Sequence, residues 1–141
     1  MPTSPDRVAI VTGGTGGIGQ VVAERLAADG QKVLICYAGS EGRAKEVVET
    51  ITTAGGVADA MQTDVADEAA VAALFDRAEE LYGGIDVVVH TAGIMLLAPL
   101  AQLDLVDFDR MHRINLRGTF VVNQQAARRV RRGGAALEVH G

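Results

Sequence analysis

The sequence predicts an α/β fold built on a doubly wound parallel sheet, and three observations lead to this prediction. Short apolar runs of strand length recur along the chain, helix-period segments separate them, and glycines or acidic residues stand at their boundaries. Alternating strands and helices build a parallel sheet that helices cover on both faces. Because crossover connections are right-handed, the expected strand order is 3-2-1-4.

Four apolar runs are the predicted strands, at residues 7–12, Lys32–Tyr37, Val57–Gln62 and 86–91. The three segments between them repeat apolar residues at the i, i+3, i+4 spacing of an amphipathic helix. The first set is Ile18, Val21, Val22 and Leu26, the second is Ala44, Val47, Val48 and Ile51, and the third is Val71, Leu74, Phe75, Ala78 and Tyr82. Gly30, Gly55 and Gly83 follow as helix-ending signals, and Asp67 is the expected N-cap of the third helix.

Residues 107–132 form the longest predicted helix, and residues 135–140 suffice for one short fifth strand. The predicted inward residues of the helix are Phe108, Met111, Asn115, Val122, Ala126 and Val130. Its last turn carries Arg128, Arg129, Arg131 and Arg132. Cations at a helix C-terminus stabilise the helix dipole by about 0.3–1 kcal/mol each. A solvated helix face therefore explains the arginines better than a nucleic-acid surface does.

Composition favours a single domain over residues 1–141, since this length suits one core and no linker or repeat interrupts the pattern. The net charge of −5 argues against broad binding to nucleic acids or to anionic membranes. The lone cysteine, Cys36, excludes an internal disulfide and fits a reducing compartment. Residues 1–6 carry no apolar run and no positive cluster. Neither a signal peptide nor a membrane span is therefore predicted, and a cytoplasmic location is expected.

A glycine-rich segment follows the first strand. Residues 12–19 read Thr-Gly-Gly-Thr-Gly-Gly-Ile-Gly, and a helix is expected to begin inside them. A strand, a glycine-rich turn and a helix start together present free backbone N–H groups and a positive dipole end to an anion. A Cβ in the turn would block the close approach of a pyrophosphate. The segment predicts a phosphate site rather than a merely flexible turn, formed by Gly13, Thr15, Gly17, Ile18 and Gly19.

The spacing Thr-Gly-x-x-x-Gly-x-Gly resembles that of the short-chain dehydrogenase/reductase family, and further motifs follow in the family's order. Asp64-Val65 follows the third strand, where the family's aspartate contacts the adenine amino group. Ala92-Gly93 ends the fourth strand, and Asn115 matches the helix asparagine that supports the family's catalytic site. The resemblance covers residues 7–134. It implies a Rossmann-type fold, an NAD(P) cofactor, and hydride transfer between the nicotinamide and a small carbonyl or alcohol substrate, with no metal site.

The sequence departs from the family pattern in two places. His90-Thr91 replace the usual asparagine pair, although the Thr91 hydroxyl can still make one hydrogen bond to the sheet centre. His90 could be a proton donor, but a structural residue with both nitrogens bonded is the favoured interpretation. The family's catalytic serine and Tyr-x-x-x-Lys have no counterpart, since no serine follows Ser40 and the only lysines are Lys32 and Lys45. The resemblance therefore implies a domain that is incomplete at the C-terminus, as a truncated or frame-shifted product would be.

Cofactor choice is predicted from the end of the second strand. An NAD-preferring member carries an acidic residue there to hold the ribose 2′-hydroxyl. Here the position is Tyr37, expected near the adenine ribose, and Ser40 and Arg43 follow it. No carboxylate repels a 2′-phosphate, and both Ser40 and Arg43 could donate to one. Arg43 is equally well explained as an exposed residue in a first helical turn. The expected cofactor is NADP, with NAD also possible.

Three functions remain open at this point. The chain is either the cofactor-binding half of an oxidoreductase, or a dinucleotide-binding module that catalyses nothing alone, or an interaction protein. The resemblance implies homo-oligomerisation through the helix at 107–132, since members of the family commonly pair through it. The chain should also expose apolar surface on one side and dimerise or aggregate. The substrate is not specified by the sequence. Leu96, Leu97 and Pro99 either line one wall of its pocket or form an apolar loop that covers the sheet edge.

Overall fold

A computed structural model of the protein describes residues 7–139. Its five strands are β1 (Val8–Thr12), β2 (Lys32–Tyr37), β3 (Val57–Gln62), β4 (Val87–His90) and β5 (Ala135–Glu138). All pair in parallel in the order β3-β2-β1-β4-β5, which confirms the predicted doubly wound sheet. The first and fourth strands are slightly shorter than predicted. The predicted strand 135–140 ends at Glu138, and residue 140 lies outside the described residues.

Three helices connect the first four strands: α1 (Gly17–Ala28), α2 (Glu41–Thr53) and α3 (Glu68–Tyr82). Helix α3 begins and ends where the sequence predicts. The Asp67 side chain accepts a hydrogen bond from the Ala70 N–H at its start, and Gly83 ends it with a φ of 89°. Glycine occupies this left-handed conformation with little strain, because it has no Cβ.

Two hydrophobic cores lie on the two faces of the sheet, because alternate residues of each strand point to opposite sides. One core joins the strands to α3 and to the helix that precedes β5, with Ile10, Leu34, Phe75, Val88 and Val122 among its members. The other joins the strands to α1 and α2, with Val11, Val33, Ile35, Ala23 and Val47 among its members. Apolar burial on both faces is what makes β1, β2 and β4 continuous hydrophobic runs.

The packed face of α1 differs from the predicted one. Ile18 and Val21, both predicted to point inward, are 43% and 65% exposed. The buried residues are Gly19, Ala23 and Ala27, while Val22 and Leu26 are half-buried. Small side chains let the helix lie close to the sheet, so the contact face falls on the least bulky residues. A search for large apolar residues at helical spacing therefore selects the neighbouring face.

The helix predicted at 107–132 begins and ends earlier and is interrupted. It consists of α4 (Leu105–His112), a π-helical turn (Arg113–Arg117) and α5 (Gly118–Arg129), and a short 3₁₀ turn (Leu100–Gln102) precedes it. Within the π-helical turn, the Gly118 N–H donates to the Arg113 carbonyl, five residues earlier. The extra residue rotates α4 relative to α5. Val122 and Ala126 are buried as predicted, and Met111 and Val130 are half-buried.

Two predicted inward residues of this helix, Phe108 and Asn115, are exposed. Helix α4 has no buried residue, and it packs mainly against the π-helical turn that follows it. Large apolar side chains are exposed along this helix and on β5: Leu105, Val106, Phe108, Leu116, Phe120 and Leu137. Exposed apolar surface is therefore present, and its location on one side of the chain stays a prediction.

Two of the four clustered arginines form ion pairs, and Arg128, Arg131 and Arg132 are exposed, as the interpretation of a solvated face predicts. Arg129 pairs with Asp76 and Glu79 of α3, and the Arg131 guanidinium forms two hydrogen bonds with the Asp86 carboxylate. Asp86 also accepts the Val8 N–H at the start of β1. These contacts join α5 and the chain after it to the first strand and to α3. Among residues 7–139, no helix is long and apolar enough to cross a membrane.

Candidate dinucleotide site at the carboxyl edge of the sheet

A cavity of about 970 Å³ opens where the carboxyl ends of β1, β2, β3 and β4 meet. In sheets of this kind the ligand crevice lies at this edge, where the strand order reverses around β1. Eleven of the residues predicted to form the site line the cavity: Gly13, Thr15, Gly17, Ile18, Gly19, Tyr37, Asp64, Val65, Ala92, Gly93 and Asn115. Ser40 and Arg43 do not line it, because α2 carries them beyond Gly39, the last cavity residue on that side.

The glycines of the turn after β1 have different reasons to be glycine. Gly13 has a φ of 66°, and a Cβ there would lie 2.7 Å from the Thr91 hydroxyl oxygen. A Cβ on Gly19 would overlap the Gly13 carbonyl oxygen. By contrast, a Cβ on Gly17 would meet nothing within 4 Å and would project into open space. Gly13 and Gly19 are therefore required by the packing of the turn, whereas only a ligand would require Gly17.

Helix α1 starts without a side-chain cap at the cavity wall. Ser40, Asp67 and Asp104 cap the N-termini of α2, α3 and α4 through hydrogen bonds, but Gly16 at the start of α1 has no side chain to do so. No acceptor among residues 7–139 takes the N–H groups of Gly17, Ile18 and Gly19. Free N–H groups and the positive end of a 12-residue helix therefore face a cavity that is large enough for a nucleotide.

Thr12, at the end of β1, is bonded to the end of β4 through its hydroxyl group. The Thr12 oxygen accepts the N–H groups of Thr91 and Ala92 at 3.1 and 3.2 Å, and it lies 2.7 Å from Nδ1 of His90. Since both N–H groups donate to this oxygen, its proton is directed to Nδ1 of His90. The Thr91 hydroxyl in turn donates to the Thr12 carbonyl at 2.6 Å. The replacement of the usual asparagine by Thr91 thus keeps a bond to the sheet centre.

His90 is buried, and both of its ring nitrogens have hydrogen-bond partners. With Nδ1 accepting from Thr12, the ring proton lies on Nε2 and donates to the Thr119 hydroxyl at 3.2 Å. Thr119 donates to the Asn115 carbonyl oxygen at 2.7 Å. This arrangement agrees with the structural interpretation of His90. It also links the turn after β1 to the helical segment that carries Asn115.

Asn115 lies within the π-helical turn and fixes the loop after β4. Its side-chain oxygen accepts the Ile94 N–H at 2.8 Å, and its Nδ2 donates to the Ile94 carbonyl at 2.7 Å. A Cβ on Gly93 would lie 3.2 Å from the Asn115 side-chain oxygen, so the loop passes close to the helix. π-helical turns are rare and concentrate at functional sites. Here the turn brings the exposed Asn115 amide to the cavity wall.

Asp64 forms a bidentate ion pair that the sequence analysis did not predict. Arg113 Nη1 and Nη2 donate to its two carboxylate oxygens at 3.2 and 2.8 Å. The hydrogen bond from Arg113 lowers the pKa of Asp64, more than partial burial raises it. Arg113 also lines the cavity. No sequence pattern marks Arg113, because it is one of several arginines in this stretch and pairs with a residue 49 positions earlier.

The Cys36 thiol at the cavity and the Tyr82 phenol at the end of α3 are poor proton donors at neutral pH. Burial raises the pKa of Cys36 to about 12, against smaller effects of hydrogen bonds from Gly13 and Thr63. Burial, together with the nearby Asp59 carboxylate, raises the pKa of Tyr82 to about 12. Tyr82 is the last residue of α3, as predicted, and does not line the cavity.

The comparison with known proteins agrees with this geometry. A family model described as short chain dehydrogenase matches residues 7–139. The chain belongs to the short-chain dehydrogenase family. Among its relatives, versicolorin reductase stcU of Emericella nidulans is 41% identical over 131 residues, which are 93% of this chain and 50% of the relative. A short-chain type dehydrogenase/reductase of Picea abies is 40% identical, over 91% of this chain and 50% of its own.

Solved structures of short-chain dehydrogenases have the same fold. A short-chain dehydrogenase from Burkholderia cenocepacia J2315, in complex with NADP, superposes with a TM-score of 0.89 at 43% identity and covers 94% of this chain and 54% of its own. The short-chain dehydrogenase/reductase from Serratia marcescens BCRC 10948 gives 0.88 at 40% identity, with the same coverage. The chain thus spans about half the length of the curated relatives and solved structures it matches.

Proposed function

We propose that this chain binds NADP(H) and forms the cofactor half of an oxidoreductase acting on a carbonyl or alcohol substrate. One observation carries the proposal: the uncapped start of α1 and the glycine-rich turn before it face a cavity of nucleotide size in a short-chain dehydrogenase. The related structure from Burkholderia cenocepacia J2315 was crystallised with NADP, which supports a nicotinamide dinucleotide as the ligand class.

In this proposal the pyrophosphate is held by the N–H groups at the start of α1. Gly17 leaves the space that the phosphate oxygens need, and Thr15 and Ile18 form the walls of the turn. Asp64 and Val65 line the adenine end, and Ala92 and Gly93 line the other end of the cavity. The bound nicotinamide would supply the hydride. Asn115 is the candidate catalytic-site residue, and its present contacts place it as a support for the loop at Ile94.

NADP is proposed as the preferred cofactor over NAD. The chain after β2 reads Tyr37-Ala38-Gly39-Ser40 and presents no carboxylate until Glu41, which pairs with Lys45. Tyr37 lines the cavity, while the Ser40 hydroxyl already accepts the Arg43 N–H as the N-cap of α2. A 2′-phosphate at this helix start would receive the Arg43 guanidinium through a side-chain movement, since Arg43 is exposed. NADP preference therefore requires a movement of the Arg43 side chain toward the cavity.

A second candidate function is dinucleotide binding without catalysis. It is favoured by the absence of any serine after Ser40 and of any lysine after Lys45 in this sequence. Positioned general acid catalysis contributes typically about 10²–10⁴-fold, and the raised pKa of Tyr82 makes it unsuitable for that role. We expect the 141-residue chain to bind cofactor without turning over ketones or alcohols, whatever the activity of a longer protein.

Calorimetric titration of the purified chain with NADPH and NADH tests the binding proposal. NADPH should bind, and more tightly than NADH. Gly17→Val should abolish binding while leaving the thermal unfolding curve in place, because the new side chain meets no protein atom but fills the ligand space. Val21→Ala on the exposed side of the same helix is the matched control. Equal affinity of Gly17→Val and the parent for NADPH would rule out the assigned phosphate site.

Catalysis is tested separately, by NADPH oxidation over a panel of carbonyl compounds. No turnover above the buffer rate is expected. Turnover that is lost in Asn115→Ala or His90→Ala would reveal an acid function that the proposed roles omit, and would favour the enzyme over the binding module for this chain alone.

A further inference from the structure

We propose that Arg113 is a positioning residue that couples the adenine end of the cavity to Asn115. The inference rests on the proposed dinucleotide function, since it assigns the adenine ring to the Asp64 side of the cavity. Its basis is the two-point contact of Arg113 Nη1 and Nη2 with the Asp64 carboxylate. A planar guanidinium that meets a carboxylate with two parallel bonds fixes orientation as well as distance.

Two further contacts join the same two segments. Arg117 Nε donates to the Ala66 carbonyl at 2.9 Å, four residues after Arg113 in the π-helical turn. A Cβ on Gly118 would lie 2.7 Å from the Val65 Cγ2, so the helix passes directly against the chain after β3. Residues 64–66 and 113–118 are therefore held together at three successive points, and movement of one segment displaces the other.

Asn115 lies between Arg113 and Arg117 in the sequence of the π-helical turn. Its amide group exchanges two hydrogen bonds with the backbone of Ile94, in the loop after β4. A displacement at Asp64 thus has a short structural route, through the π-helical turn, to Asn115 and to the loop on the other side of the cavity. Regular α-helix lies on both sides of the π-helical turn, so a change in backbone conformation is expected in the turn rather than in α4 or α5.

The ion pair between Arg113 and Asp64 can respond to a ligand, because the carboxylate is already hydrogen-bonded and both side chains are partly exposed. Arg113 takes both oxygens of Asp64, and the Ala66 N–H takes one of them as well. Two donors occupy Oδ1 and one occupies Oδ2, so a donor on the adenine ring shares Oδ2 with Arg113 or replaces a bond from Arg113. The two side chains are 48% and 43% exposed, so the guanidinium is free to tilt as the bond is shared. A purely structural contact would instead keep the same geometry with and without the nucleotide.

The test uses the isolated chain and the adenine half of the cofactor alone, 2′,5′-ADP, which carries no nicotinamide. Affinity is measured by calorimetry, and the side-chain amide signal of Asn115 is followed by NMR in ¹⁵N-labelled protein. In the parent, saturation with 2′,5′-ADP should shift this signal. In Arg113→Gln and Asp64→Asn the shift at saturation should fall at least twofold. The affinity should fall about 1.5-fold to fivefold, the range for a half-exposed ion pair.

Two controls separate coupling from general damage. Arg110→Gln removes an equal charge from the same cavity wall, one helical turn earlier, and should keep the full Asn115 shift. Arg113→Lys keeps the charge and the fold but offers no planar fork, so it should restore affinity more than it restores the shift. It also replaces Arg113→Gln should that variant fail to fold.

The outcomes distinguish the two proposals. An Asn115 shift in Arg113→Gln equal to that of the parent overturns the coupling role, as does 2′,5′-ADP binding to the parent with no Asn115 shift. In both cases the cofactor site stands. If the parent binds neither 2′,5′-ADP nor NADPH, the proposed function fails and the coupling role fails with it.

Discussion

Strand β1 is buried along its whole length, whereas β5 exposes all four of its residues. The helices that accompany these strands differ in the same way. Helix α3 buries four residues in a core, while α4 buries none. The first region consists of βα units that cover one another in sequence order, so the apolar residues at the interface of sheet and helix are covered by a neighbouring element. In the second region, large apolar side chains are exposed, and none of the described elements covers them.

The largest expected difference between the two regions is in the cost of removing an aromatic ring. Phe75 is fully buried in the core under α3, and Phe120 on α5 is 65% exposed. Phe75→Ala should lower the free energy of unfolding by about 3–5 kcal/mol. Phe120→Ala should change it by less than about 0.5 kcal/mol. Urea unfolding followed by circular dichroism measures both, and comparable losses would mean that Phe120 is buried in solution.

The glycines of the turn after β1 give the next largest expected effect. Gly19→Ala forces a Cβ into the Gly13 carbonyl, and overpacking of this kind costs about 1–3 kcal/mol. Gly17→Ala meets no atom within 4 Å and should leave the unfolding midpoint in urea unchanged or slightly raised. A stable Gly19→Ala protein with parent affinity for NADPH would contradict the packing of this turn.

Acid should weaken the link between β1 and the chain after α5. Burial acts to raise the pKa of Asp86, but hydrogen bonds from Arg131 and Val8, with the charges of Arg131 and Arg7, bring the pKa below its ordinary value. A lowered folded-state pKa contributes stability above the ordinary carboxyl value, and that stability is lost as the pH falls through the folded value.

The parent should therefore lose stability on acidification from pH 5 to pH 2 by about 1 kcal/mol more than Asp86→Asn does. Glu41→Gln, which removes an exposed carboxylate from α2, is the control and should follow the parent. Parallel acid profiles for the parent and Asp86→Asn would show that the contact contributes nothing.

The smallest effect on stability, and the clearest on assembly, is expected on the exposed apolar face. We propose that a second copy of the chain covers Leu116 and Phe120, which lie on consecutive turns and are 59% and 65% exposed. The double variant Leu116→Ser and Phe120→Ser should convert an oligomer to a monomer in light scattering. Val21→Ser, at an equally exposed position of α1, should leave the mass unchanged. A monomeric parent would remove the basis for the interface.

The fold was predictable because each βα unit has its own local signals. The apolar run of β2, the Asp67 cap and the Gly83 stop are each contained within a few residues. The failures came from non-local packing. Ile18 and Val21 were misplaced because the close approach of α1 to the sheet selects Gly19, Ala23 and Ala27. Phe108 was misplaced because the π-helical turn, which rotates α4 relative to α5, is not visible in a hydrophobic period.

For the candidate site, too, residues in local motifs were predictable and residues that depend on non-local contacts were not. Gly13, Asp64 and Asn115 line one cavity as motif positions predict, since a motif fixes its residues relative to a strand end. Arg113 was missed because its partner lies 49 residues earlier and only the folded chain brings them together. Ser40 and Arg43 were placed at the cavity from their closeness in sequence to Tyr37. The start of α2 carries them past its edge.

The π-helical turn also limits how the length of this helix can vary. An α-helix advances about 100° per residue, so deleting one residue between Asn115 and Gly118 would turn α4 by about that angle relative to α5. The result would be an uninterrupted α-helix with i to i+4 hydrogen bonds, which is more regular than the present helix with its π-helical turn. Asn115 would then point away from Ile94, and Arg113 away from Asp64. The extra residue therefore sets which side chains face the cavity, and a shorter helix here would keep the fold while losing the site.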